Sequence, residues 1–443
     1  MVINIIVARF LAPEKYGIYS LVLTYVGLFY FVASLGLSML TTRSVSRDQD
    51  NSDHYFRLSM ILRAFGFALS VVVFLVYAAV RGESFSTFTI FAILGGVFLE
   101  SVWDCQQNVA FGMQRMEWNT IVGIAASLLN LLIYVLMPRT LFTVNVVLGV
   151  YMGIYLLKNA VYYFCLKRNN LLRNDDTGKK ISSQECISYV RDALPFYLMY
   201  LLGIFTGQLP VLFLNSNAGV EQVAYFNIAN KLLLPISLFM TSAFSAFFPN
   251  QSKLFEEDRK AFSTQTKKVL VLVTGIGVAL GICVTLFKGE VVYLLYGDDY
   301  ACASNVMAYQ CWYTVMYGVF CLNGNTLGAA DAQKRLAICS VIYALISTPI
   351  LYFLSKNGAE GLSLGYLLAS ILNLLYILPV LKITVSGDLT WKVVALIFFG
   401  LVGFTAVSLS LSYLSLPVRI AIFVIFLVSI CFIWKKSRSS VPA

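Results

Sequence analysis

The stretch VARFLAPEKYGIYSLVLTYVGLFYFVASLG (7–36) sets the pattern for the whole chain. A helix end runs into a short turn at Pro13 and Glu14. An aromatic-rich helix start and a long apolar span follow. The same order returns at VLFLNSNAGVEQVAYFNIANKLLLPISLFM (211–240). A second pair reads alike: FGMQRMEWNTIVGIAASLLNLLIYVLM (111–137) and ADAQKRLAICSVIYALISTPILYFLSK (330–356) share a Gln-basic turn and then a helix. Two like halves are the simplest reading.

The composition sets the solvent. Of 443 residues, 59% are hydrophobic and only 12% charged, with a mean hydropathy of +0.79. A soluble domain carries roughly 25% charged residues, so the apolar surface here must face lipid. Apolar stretches of about 20 residues recur, each long enough to cross a hydrocarbon core. A spanning backbone must satisfy its own hydrogen bonds, which leaves helices or a closed barrel. Barrel strands would alternate apolar and polar residues. These runs are apolar on all sides, so they are helices.

Spans are expected at 16–42, 57–80, 86–111, 117–138, 142–166, 187–214, 221–249, 266–288, 303–329, 335–355, 360–383, 390–412 and 416–434. Residues 1–9 reach only part-way across a bilayer. They read as the end of a first helix whose beginning is missing, or as a short interfacial tail. The opening run lacks a charged leader and a cleavage site, so no signal peptide is expected. The longest loop separates an N-terminal lobe (1–166), a linker (167–186), a C-terminal lobe (187–385) and a last part (386–443) with two further helices. Six helices per half give both halves the same orientation, as in parallel repeats around a central cavity.

The net charge of +10 suits nucleic acid or an anionic membrane surface, and its distribution decides for the membrane. Loops on one face hold Arg43, Arg47, Arg57, Arg115, Lys167, Arg168, Lys253, Lys334 and Lys435, among others. The other face has Lys15, Arg81, Arg139, Lys288, Lys356 and Arg419. Basic excess marks the cytoplasmic face, which puts the C-terminus inside. Most of the nine cysteines sit in apolar runs, as small buried hydrophobes. One histidine, His54, and no CxxC spacing leave little for metal or histidine catalysis. Walker, GxSxG, HExxH and dinucleotide motifs are missing. No enzyme activity, cofactor or metal is expected.

Charged residues inside spans are the functional candidates. They are Arg9, Arg63, Glu100, Asp104, Lys158 and Lys231, with Asp331 near a helix end. Glu100, Asp104 and Asn108 recur every four residues and form one polar stripe with Gln107. The stripe is a cavity wall with ion-coupling acids, or else an internal ion pair with Arg63 or Lys158. Arg63 is also near enough to one face to snorkel. Asn227 and Lys231 lie one turn apart, as a cavity cation for an anionic head group or as a partner for an acid. Tyr313 and Tyr317, one turn apart, are an interfacial belt or a sugar-stacking platform. Pro195, Pro210, Pro235 and Pro249 read as hinges or as ordinary membrane-helix prolines.

ARFLAPEKYGIYS (8–20) resembles the polysaccharide flippase family of O-antigen type, within the multidrug/oligosaccharidyl-lipid/polysaccharide exporter superfamily. AYFNIANKL (224–232) and KNGAEGLSLGYLLASI (356–371) are similar to its corresponding segments. The resemblance spans the chain in order and spacing. It implies two six-helix lobes around a cavity, two extra helices, and transport of undecaprenyl-diphosphate-linked oligosaccharide across the bacterial cytoplasmic (inner) membrane. Membrane lipids, a polysaccharide polymerase and a chain-length regulator would be partners. Cavities of this family are typically cationic, which suits Arg9, Lys158 and Lys231. The chain departs from the family at its first helix and at Gln208, where many relatives carry an acid. The alternatives are a cation-coupled drug exporter and a membrane glycosyltransferase or polymerase.

The orientation is directly testable. A fluorescent protein inserted after residue 178 is expected to fluoresce, whereas alkaline phosphatase at the same place stays inactive. The reverse pattern would overturn the assignment of the basic face.

Overall fold

A computed structural model describes residues 1–82, 85–173, 181–385, 387 and 389–425, with the backbone alone at 199, 243–246 and 249. Lys179, Lys180, Cys431, Lys435, Lys436, Arg438 and the end of the last expected span (426–434) lie outside the described residues, as does the Pro249 side chain. The described secondary structure is helical. The helices are α1 (Val2–Ser34), α2 (Leu37–Arg47), α3 (Ser52–Arg81), α4 (Thr87–Gly112), α5 (Met116–Leu136), α6 (Val144–Arg168), α7 (Ser183–Thr206) and α8 (Leu209–Ala218). They continue as α9 (Val220–Glu257), α10 (Arg259–Leu286), α11 (Lys288–Tyr296), α12 (Ala303–Ala329), α13 (Gln333–Leu354), α14 (Gly358–Val385), α15 (Trp391–Leu411) and α16 (Leu416–Ile425).

Ten segments among the described residues are long and apolar enough to cross a membrane, one being the 53-residue run of α13 and α14. α12 has the length but is not among the ten. It carries Gln310, Thr314, Asn323 and Thr326 into the interior, where lipid does not reach them. The expected spans fall on these helices, with two differences. Leu35 and Gly36 both adopt left-handed conformations and split the 16–42 span into the end of α1 and α2. The 187–214 span divides at Gly207 and Gln208 into α7 and α8. Pro210 sits at the start of α8, a position that tolerates proline, so it kinks nothing. Pro195 lies inside α7.

The repeat seen in the sequence recurs in the backbone. α1 breaks at Ala12 (φ 62°, ψ 163°), and α8 ends at Gly219 (φ 91°, ψ 171°). Both are followed by a long helix with glutamate in its first turn, Glu14 and Glu221. The same corner thus opens APEKYG and GVEQVA.

Two compact units form, Met1–Ala224 and Tyr225–Ala443. In the first, α1 is central. Gly17 lets the Val220 carbonyl approach so closely that a Cβ would stand 2.1 Å from it. Gly66 admits the Ala33 carbonyl in the same way, bringing α3 against α1. α7 joins this unit through the Tyr197 ring, stacked on Phe31 at 4.5 Å, and through His54 to Glu185 at 2.7 Å. In the second unit α12 is central. Trp312 is fully buried against Gly281, and its indole N–H donates to Thr285 at 2.9 Å.

At the sparsely basic end of the second unit, α16 is clamped to α11. Arg419 donates to both Glu290 carboxylate oxygens, at 2.6 and 3.0 Å, and to the Leu286 carbonyl. These hydrogen bonds hold the Glu290 carboxyl below its ordinary range. A depressed folded value means that the stabilisation is complete above the unfolded value of about 4.3 and is lost as pH falls below it. Glu290 is 40% exposed, which keeps the effect small. Arg419→Ala is expected to lower the melting temperature by about 1–3 °C at pH 7 and by less at pH 3.5. Scanning fluorimetry at both pH values reads the difference, and an equal loss at both would sink the ion-pair account.

Candidate functional site

The polar stripe of α4 is where the first unit keeps its charge. Asp104 Oδ2 accepts from Arg63 Nη2 at 2.5 Å, from Ser38 Oγ at 2.5 Å and from Asn108 Nδ2 at 2.8 Å. Arg63 also donates to Ser59 Oγ, Ser38 Oγ and the Ser101 carbonyl. The guanidinium is 2% exposed. It turns into the unit and does not snorkel. Three helices, α2, α3 and α4, are tied at one point. Of the two readings of the stripe, this half realises the internal ion pair.

One turn away, Glu100 interacts with Lys158 and the Tyr155 hydroxyl. Lys158 Nζ lies 3.3 Å from the centre of the Trp103 ring and 4.7 Å from that of Tyr155. Desolvated cation–π contacts of this kind are worth about 2 kcal/mol. Lys158 also borders a small groove between α5 and α6, beside Ala125 and Leu129. Asp104 therefore has an ion-paired cation, whereas Lys158 rests on the Trp103 and Tyr155 rings, and no ion pair joins it to Glu100 among the described residues.

Arg9 and Lys231 are different. Arg9 is exposed on the first segment of α1, and Lys231 is half-buried in α9. Neither has an ion-pair or hydrogen-bond partner among the described residues. Asn227 is half-buried one turn before Lys231, and Asn230 is exposed. Of the four span cations, Arg63 is ion-paired and Lys158 is held by aromatic rings, whereas Arg9 and Lys231 have neither kind of contact among the described residues.

The tyrosine pair lies in the second unit and is larger than its spacing suggests. The Tyr313 and Tyr317 rings are 6.0 Å apart. Tyr366 of α14 lies 4.9 Å from Tyr313 and in turn stacks on Phe226 of α9 at 5.8 Å. Phe320 links Tyr317 to Tyr343 of α13. Tyr317 remains 38% exposed. Such a wall offers ring faces and hydroxyls together. Sequence reasoning missed Tyr343, Tyr366 and Phe226, which carry no local signal because they come from three other helices.

A clasp between α4 and α6 was also missed. Asn159 donates to the Leu99 and Tyr155 carbonyls, and Gln106 donates to the Asn159 carbonyl. Asn159 directly follows Lys158 in a long apolar helix, and that was the available signal. Among the described residues no three His, Cys, Asp or Glu side chains converge as metal ligands would.

The family described as polysaccharide biosynthesis protein matches residues 1–255, and the MatE family matches residues 195–353. No curated protein matches the chain by sequence. Among solved structures, the lipid II flippase MurJ in an inward closed conformation is similar, at 13% identity. It has a TM-score of 0.69, covering 98% of this chain and 96% of its own. An inward-facing multidrug resistance MATE transporter of the MOP superfamily shares 15% identity with a TM-score of 0.67, over 86% and 94%. A MOP superfamily transporter from Pyrococcus furiosus shares 15% with a TM-score of 0.54, over 86% and 91%. The likeness is one of fold.

The Arg63–Asp104 pair gives a stability test. Removing one partner strands a buried charge, so Asp104→Ala is expected to cost about 3–5 kcal/mol. Replacing both, as Arg63→Met with Asp104→Leu, is expected to recover most of it. The yield and melting temperature of monodisperse protein report the effect, and a double variant no better than the single one would refute the pairing.

Proposed function

Because the chain belongs to the polysaccharide biosynthesis protein family, we propose that it is a flippase for undecaprenyl-diphosphate-linked oligosaccharide repeat units. It moves them across the bacterial cytoplasmic membrane by alternating access, for O-antigen or another surface polysaccharide. Alternation would expose the substrate to either face in turn, with the C-terminus in the cytoplasm. A polysaccharide polymerase and a chain-length regulator would act on the delivered product.

The observation that carries this reading is Lys231. An ammonium half-buried in a span with no partner among the described residues is an unmet charge in a poorly solvating medium. A diphosphate supplies the missing negative charge, and the low dielectric strengthens the attraction. Asn227 adds an amide one turn away. The Tyr313–Tyr317 wall, in the same unit as Lys231, suits stacking of sugar rings. The likeness to a lipid II flippase supports a lipid-linked saccharide as the cargo class.

The cation-coupled exporter reading draws on the MATE likeness and on Glu100 and Asp104 as ion-coupling acids. Asp104 already holds a cation, Arg63. A coupling ion at Asp104 would have to displace it. That favours the flippase, and it gives Arg63 and Lys158 the role of holding α4 in place beside the substrate path.

In a strain deleted for the gene, lipid-linked repeat units are expected to accumulate unpolymerised on the cytoplasmic side. Lys231→Ala is expected to restore about one-tenth or less of the wild-type surface polysaccharide, whereas Lys231→Arg restores most of it. Normal polysaccharide in the deletion strain would remove the flippase assignment, and full complementation by Lys231→Ala would remove this lysine from the site.

A further inference from the structure

A groove of about 500 Å³ runs over α4 between α3 and α6, at the end of the first unit that carries basic loops. Phe56, Met60 and Ile61 of α3 form one wall and Tyr163 of α6 the other. Val102 and Gln106 of α4 lie beneath, and Ile181 borders the end. The Phe56 and Tyr163 rings stack at 6.1 Å. The volume is that of a small-molecule site, and the lining is almost wholly apolar.

Two polar features set this groove apart from an ordinary lipid-facing furrow. The first is Gln106, 2% exposed, whose Nε2 donates to Asn159 while its Oε1 has no partner among the described residues. A buried carbonyl without a donor is costly in hydrocarbon. Gln106 stands six residues before the end of α4, roughly 9 Å along the axis. The second is the rim. Arg57 is 63% exposed and pairs with Asp53 at 2.5 Å. An exposed pair of this kind contributes about 0–1 kcal/mol, so a phosphate competes readily for the guanidinium. Lys167 Nζ lies 4.9 Å over the Tyr163 ring that forms the wall.

We propose that this groove selectively binds an anionic glycerophospholipid with a hydroxylated head group, of the phosphatidylglycerol type, from the leaflet at the basic face. One acyl chain lies along Met60, Ile61 and Val102. The phosphate sits between Arg57 and Lys167. A head-group hydroxyl supplies the donor that Gln106 lacks. A zwitterionic choline lipid offers neither the net charge nor the hydroxyl. The lipid would brace α3, α4 and α6, the helices that carry Arg63, Asp104 and Lys158. This proposal concerns the lipid around the protein, and its test does not depend on what the protein transports.

The test uses the full chain in phosphatidylcholine nanodiscs carrying a trace of phosphatidylglycerol with a photoreactive acyl chain. Peptide mass spectrometry then locates the crosslinks. Labelling is expected to concentrate on Met60, Ile61, Val102 and Tyr163, and to be competed by unlabelled phosphatidylglycerol but not by phosphatidylcholine. Arg57→Glu and Lys167→Glu are each expected to weaken it about five-fold, the equivalent of roughly 1 kcal/mol per basic residue. Gln106→Leu is expected to weaken it while leaving the melting temperature nearly unchanged, because the lost hydrogen bond to Asn159 is offset by removal of the unpaired carbonyl. Labelling spread evenly over the lipid-facing helices would overturn the proposal. So would equal labelling by a photoreactive phosphatidylcholine, or preferential capture at these residues of a polyprenyl-diphosphate probe.

Discussion

A chain in hydrocarbon has to meet every polar demand from within itself. Backbone groups are met by helix formation, which is why the described secondary structure is helical. Side chains are harder. Thr24, Thr326 and Thr405 return their hydroxyls to carbonyls four residues back on their own helices. Asn159 and Gln106 bind backbone carbonyls across the α4–α6 seam. Arg63 needs four partners from three helices, and it gets them only because α2, α3 and α4 meet at Ser38, Ser59, Ser101 and Asp104. The packing of the first unit is fixed around that requirement.

The same rule turns an unmet demand into a functional pointer. Arg63 is costly to bury but fully accommodated, and Lys158 rests on aromatic rings. Lys231 and Arg9 are not accommodated by the described residues, and an incoming anion is the natural complement. Gln106 Oε1 is the uncharged counterpart of this situation, an acceptor in place of a cation. The two kinds of vacancy differ in what they select. A lone cation responds to charge and changes little with the rest of the ligand. A lone carbonyl responds to a donor at one spot.

Much of the fold was legible because apolar runs and basic loops are local signals. The spans from α3 to α6 and from α9 to α10 needed little more than a hydropathy reading. The α12 interior was legible as a helix, but its polar positions did not reveal that it is the centre of its unit. The breaks at Leu35–Gly36 and Gly207 were hidden inside apolar runs, where a single glycine carries no clear instruction. The α4 stripe was legible from its four-residue spacing. Its partners were not fixed, since Arg63 and Lys158 were both within the possible pairings and only packing assigns Asp104 to Arg63. The aromatic wall shows the limit most clearly. Tyr313 and Tyr317 share a helix and could be paired by spacing, whereas Tyr343, Tyr366 and Phe226 join them through tertiary contacts alone.

The corner at Ala12 is different again. Pro13 denies its predecessor the helical region and favours an extended ψ, which the observed ψ of 163° satisfies. Proline does not call for a φ of +62°, a value that costs an alanine about 1–3 kcal/mol. The sequence therefore dictates that the helix ends there, and the surrounding packing selects the sign of the bend. Because Pro13 has no N–H, no helical hydrogen bond bridges into it from the preceding turn. The segment from Val2 to Leu11 therefore meets the rest of α1 at a single residue, and the direction in which the Arg9 cation is carried is set by the conformation of Ala12.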